Sequence, residues 1–137
     1  MKCNRFYSLF LILFFGIWMA SCTQNKSVPS PETVQLIAQI NLYLGQSQSE
    51  RLSTAQKLEY LNKAQALSQK AAMDSLVLKT LHKKAEFYNS YYPDKALPVL
   101  KDFESKADSL KDTLHIARSY LNLGEYFFNK QQKNTAF

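Results

Sequence analysis

The stretch Tyr120-Leu121-Asn122-Leu123-Gly124-Glu125-Tyr126-Phe127 decides how the rest of the chain is read. Its apolar residues recur every three or four positions, the spacing of one face of an α-helix. A glycine inside a helix costs roughly 1 kcal/mol relative to alanine, so Gly124 needs a physical reason. Close crossing of two helices is such a reason, and Gly124 is expected where a neighbouring helix nearly touches its own. Another small residue, Ala85, lies 39 positions earlier in the middle of a similar stripe, and the same offset separates Ala64 from Phe103 on the stripes before these. The tripeptide Asp74-Ser75-Leu76 returns as Asp112-Thr113-Leu114. Equal offsets of this kind point to one helix-pair unit used more than once.

Working outward, apolar residues mark five helices. Val34, Ile37, Ile40 and Leu44 form the first stripe, which ends near Gly45 and gives way to a polar loop over 46–51. Ser53-x-x-Gln56 reads as a capping box opening a second helix, whose stripe is Leu58, Leu61, Ala64, Leu67 and Ala71. Asp74 or Ser75 caps a third, with Leu78, Leu81, Ala85 and Tyr88. Tyr92-Pro93-Asp94 interrupts the chain before a fourth stripe of Ala96, Leu100, Phe103, Ala107 and Leu110. Asp112-Thr113 opens the fifth, with Leu114, Ala117, Tyr120, Leu121, Gly124 and Phe127 inward. With only three glycines and four prolines these stretches run uninterrupted, and none alternates with period two, so no strand is expected. The fold class is all-α. The last helix is expected to end near Lys130, with a turn over 131–134 and Thr135-Ala136-Phe137 opening a partner helix.

The amino terminus reads as an address. A short basic segment holding Lys2 and Arg5 precedes an apolar run from Phe6 to Ala20, shorter than the ~20 residues of a spanning helix. Met19-Ala20-Ser21-Cys22 then resembles the bacterial lipobox. That resemblance implies a signal peptide over 1–21 and a diacylglyceryl group, with palmitate-type acylation, on the thiol of Cys22. Each buried methylene contributes about 0.8 kcal/mol, so two or three acyl chains hold a protein to a bilayer where one does not. Residues Thr23–Pro31, with two prolines and several hydroxyl side chains, form a polar tether. The expected location is the cell envelope, lipid-anchored and facing the periplasm. The domain boundaries are therefore 1–21, 22–31 and a helical region over 32–137.

Tyr120-x-x-Leu123-Gly124-x-x-Phe127 with Ala136 nine residues on resembles the tetratricopeptide repeat. A weaker unit precedes it: Leu81-x-x-Lys84-Ala85-x-x-Tyr88, then Ala96 and Leu100, with Lys84 where the family has leucine. The resemblance covers roughly residues 50–137. It implies antiparallel helix hairpins stacked as a short α-solenoid. In that family the first helix of each hairpin lines a concave groove. The groove positions implied here are Lys79, His82, Glu86 and Asn89 in one unit and Arg118, Leu121, Glu125 and Phe128 in the next. They would set a basic row beside an acidic row and suit an extended peptide or partner helix. His82, Leu121, Glu86 and Glu125 depart from the Lys and Asn pattern of the subclass that grips chaperone termini. The implied function is a membrane-tethered scaffold for protein or peptide binding. The alternative is the sensory leading part of a signalling protein with a histidine-kinase or helix-turn-helix output domain.

Composition narrows the rest. Hydrophobic residues make up 46% and charged residues 20%, ordinary for a globular domain. Setting aside Lys2 and Arg5 leaves 15 basic and 11 acidic residues, dispersed rather than clustered, which argues against a nucleic-acid partner. Cys3 and Cys22 both precede the helical region, so neither a disulfide nor a thiolate metal site is expected within it. His82 and His115 lack nearby co-ligands in sequence, so no metal site is expected. No phosphate-binding glycine loop or nucleophile motif occurs, so no cofactor and no enzymatic activity are expected. Phe87, Tyr88, Tyr91 and Tyr92 read as hairpin packing. The array is expected to be incomplete, to fray from residue 113 onward and to self-associate through Tyr120, Leu123 and Phe127.

Overall fold

The computed structural model describes residues 30–135, and they are helical throughout, with no strand among them. Helix α1 spans Pro31–Ser47, α2 Thr54–Lys70, α3 Asp74–Tyr91, α4 Pro93–Ser109 and α5 Thr113–Thr135. The expected signal segment, Cys22 and most of the expected tether lie outside the described residues, as does Ala136. None of the described helices is long and apolar enough to cross a membrane.

Local chemistry accounts for the boundaries. The Ser30 hydroxyl accepts from the Thr33 amide, and Pro31 occupies the first helical position, so these two tether residues belong to the start of α1. The capping box at Ser53 forms in full: its hydroxyl accepts from the Gln56 amide at 3.3 Å, and its own amide donates to Gln56 Oε1 at 3.0 Å. Asp74 does not cap α3. Met73 holds the cap position without a side-chain bond, and Asp74 is already helical. Asp112 does cap α5, accepting from the His115 amide at 3.0 Å. Only Tyr92 separates α3 from α4, because Pro93 starts the new helix without needing an amide donor. The expected turn over 131–134 is absent: α5 continues unbroken to Thr135. Gln131, Gln132, Lys133 and Asn134 contain neither glycine nor proline, and nothing in their backbone preference stops a helix already under way.

The 39-residue offset reappears in the backbone. Helices α2 and α4 are each 17 residues long, and α3 and α5 begin 39 residues apart. The turns between them match bond for bond. Ala71 N donates to Leu67 O, Ala72 N to Gln69 O and Met73 N to Ser68 O; Leu110 N donates to Lys106 O, Lys111 N to Asp108 O and Asp112 N to Ala107 O. Each turn is a Schellman closure, with its left-handed residue at Ala72 (φ 50°) or Lys111 (φ 53°) where glycine is usual.

Two apolar clusters share α3. On one side Ile40, Leu44, Leu61, Ala64, Leu76 and Phe87 pack α1 and α2 against it. On the other Val77, Leu78, Leu81, Ala85, Leu100, Phe103, Leu123 and Tyr126 join it to α4 and α5. Each helix packs on its neighbours in sequence, and α3 also touches α1 and α5.

Candidate binding surface

Helices α1, α3 and α5 lie side by side, and the groove positions of α3 fall along the seam they make. Lys79 is exposed and donates to Asn41 Oδ1 of α1 at 2.8 Å. One turn on, His82 Nε2 lies 3.3 Å from Glu86 Oε1, and Lys83 Nζ reaches Glu86 Oε2 at 2.7 Å. Burial pushes the His82 imidazole below its usual pKa, with Glu86 opposing and Lys83, Arg118 and His115 adding to the fall. Arg118 of α5 therefore faces the same pocket of charge as His82. Asn89, further along, borders a small recess with Tyr126, Asn129 and Lys130 of α5.

Phe103 of α4 ties this seam to the core. It is fully buried, with the His82 ring 5.4 Å away and the His115 ring 6.1 Å away, the latter edge-on at 87°. His115 is buried on α5, with its Nδ1 3.1 Å from Asp112 Oδ2. The two histidines, far apart in sequence, thus pack against one phenylalanine. No group of three His, Cys, Asp or Glu residues suited to a metal occurs among the described residues.

A cleft of about 240 Å³ opens beside the seam. Ser47 and Gln48 of α1, Lys57 of α2 and Lys83, Glu86 and Tyr91 of α3 line it. Lys57 Nζ stands 5.4 Å above the Tyr91 ring and 3.3 Å from its hydroxyl. No motif links Lys57 and Tyr91, which lie 34 positions apart in the sequence.

Helix α5 differs from expectation. Its buried residues are His115, Ser119, Asn122, Leu123 and Tyr126. The stripe expected inward points outward instead: Leu114 is 57% exposed, Tyr120 56%, Leu121 72% and Phe127 52%. Gly124 is exposed, and a Cβ built there meets nothing within 4 Å, so no described helix crosses closely at that position. The physical reason lies in the offset. Ala85, its equivalent, is fully buried because α4 packs over that face of α3, and no described helix covers the same face of α5. Leu121, Glu125 and Phe128 share this open side, while Arg118 sits at its border with α3.

No protein-family model, curated protein or solved structure matches the chain.

Proposed function

We propose that residues 31–135 form a tetratricopeptide-like helical scaffold, held at a membrane in the cell envelope through lipid on Cys22, that binds a protein or peptide along the α1–α3–α5 seam. The observation that carries the repeat reading is the recurrence of the α2–α3 turn as the α4–α5 turn at an offset of 39 residues, with the same three hydrogen bonds and the same left-handed position. A helix that packs only on near neighbours in sequence, with α1, α3 and α5 adjacent, supports stacked hairpins of the solenoid type. Along α3 the seam offers Lys79, His82 and Glu86 at one-turn intervals, with Arg118 of α5 near His82 and an open cleft alongside. That arrangement suits hydrogen bonding to an extended backbone better than it suits a compact anion.

Two experiments test the proposal. A photo-crosslinking residue placed at Lys79 in the native envelope should capture a discrete partner, whereas the same residue at exposed Lys101 of α4 should not. Equal capture from both sides would reject the seam as the binding face. Cys22→Ala should lose incorporation of labelled fatty acid and release the protein from the membrane fraction; undiminished labelling would reject the anchor.

A further inference from the structure

The open face of α5 borders the α1–α3–α5 seam at Arg118 and turns away from it elsewhere. Leu114, Leu121 and Phe128 recur every seven residues along it, and Ala117 and Gly124 lie between them, also seven apart. This is a heptad seam of alternating large and small residues, the pattern by which two helices pack knobs into holes. One border of the seam carries Arg118 and Glu125, opposite charges seven residues apart. Glu125 has no ion pair or hydrogen bond among the described residues. The other border carries the exposed rings Tyr120 and Phe127.

We infer that this face pairs with the same face of a second copy of this chain, the two α5 helices running antiparallel about a two-fold axis. One register satisfies the face from Ala117 to Phe128. Leu121 enters the space above Gly124 of the second copy, where nothing lies within 4 Å, and Phe128 covers Ala117. In that same register Arg118 meets Glu125 of the second copy on one border, and Tyr120 meets Phe127 on the other. The two-fold axis makes every one of these contacts twice, as an isologous interface requires. Charge complementarity thus favours the antiparallel arrangement, because a parallel pair would turn the Arg118 and Glu125 border of each copy toward the Tyr120 and Phe127 border of the other. A stable interface generally buries about 800 Å² per partner, which one helix face does not reach alone, so the dimer is weak and concentration-dependent.

Sedimentation velocity of the full chain in a mild non-ionic detergent, across a concentration series, tests this. A reversible monomer–dimer equilibrium is expected. Arg118→Glu and Glu125→Arg should each weaken the dimer about tenfold, and the double variant should regain it, because the swap restores both pairs. Gly124→Leu and Leu121→Asp should abolish dimerisation while leaving the circular dichroism spectrum intact, both positions being exposed. A monomer at every concentration would overturn the inference. So would a dimer indifferent to Leu121→Asp and Gly124→Leu, or a double charge variant as weak as the singles. The Leu121→Asp and Gly124→Leu arms touch no residue of the α1–α3–α5 seam, so their failure leaves the proposed function standing.

Discussion

Helices α3 and α5 are equivalent by sequence offset and opposite in fate. Each has a rear face that meets the preceding hairpin and a front face of small and large apolar residues. On α3 the front is Leu78, Leu81 and Ala85, all buried under α4. On α5 it is Ala117, Tyr120 and Gly124, all exposed. The rear faces behave alike: Thr80 and Ser119, 39 residues apart, are both fully buried and both turn their hydroxyls back to a helix carbonyl, Leu76 O at 2.8 Å and Ile116 O at 2.7 Å. A repeat therefore fixes which residues are available for burial, and the presence of a covering helix fixes which of them are buried.

The largest effect should come from the side chain that holds the second hairpin together. Phe103→Ala removes a fully buried ring that also packs against His82 and His115, and truncations of this kind cost about 3–5 kcal/mol. Chemical denaturation should show the loss. Hydrogen exchange should place it first in α4 and α5, with α1 and α2 keeping most of their protection. Uniform loss across all five helices would mean that the two apolar clusters do not act separately.

The comparison itself is broken or sharpened by a matched pair. Ala85→Leu crowds the α3–α4 contact and should destabilise by about 1–3 kcal/mol. Gly124→Leu meets no neighbour and replaces a poor helix former, so it should stabilise the monomer by up to about 1 kcal/mol. Thermal melting at concentrations low enough to keep the chain monomeric checks both. Equal destabilisation at the two sites would show that α5 is covered as α3 is.

A smaller effect is expected from pH. His82 is more acidic in the folded state than in the unfolded chain, so folding favours its neutral form. Its contribution is complete above the unfolded pKa of about 6.5 and is lost as pH falls below that value towards the folded pKa, with a slope of at most about 1.4 kcal/mol per pH unit. Asp112 responds at lower pH: its carboxylate is held below the usual range by the His115 amide, and that cap weakens as the group protonates. Denaturation midpoints measured from pH 7.5 to 5 should fall for the natural chain and fall less for His82→Gln. Identical pH profiles would show that the imidazole titrates as freely folded as unfolded.

The smallest effect concerns the paired turns. Ala72 and Lys111 sit in the left-handed region, which disfavours any residue with a Cβ by about 1–2 kcal/mol, partly offset by the greater unfolded freedom of glycine. Ala72→Gly and Lys111→Gly should each raise stability by about 0.5–1 kcal/mol, and by similar amounts if the turns are equivalent. Opposite signs in calorimetry would show that the matched hydrogen bonds conceal different strain.

By itself the sequence determined the five helices of the described residues, most of their starts and the inward stripes of α2 and α4. Caps and prolines act locally, through the first turn they touch, so Ser53, Asp112 and Pro93 could be read from their neighbours alone. The 39-residue offset was legible for the same reason, since like residues build like turns. Which face of α5 is buried was not legible, because the helix is apolar on the front and carries His115, Ser119 and Asn122 on the rear. Periodicity ranks faces by apolar content, and that ranking chose the front. Tertiary structure chose the rear, because α3 and α4 supply surface only there, and a face can be buried only where something exists to bury it. The meeting of His82 with Phe103 and His115, and of Lys57 with Tyr91, was decided in the same way. Contacts between side chains 12 to 34 positions apart depend on how helices stack, a property of the whole array that no local segment encodes.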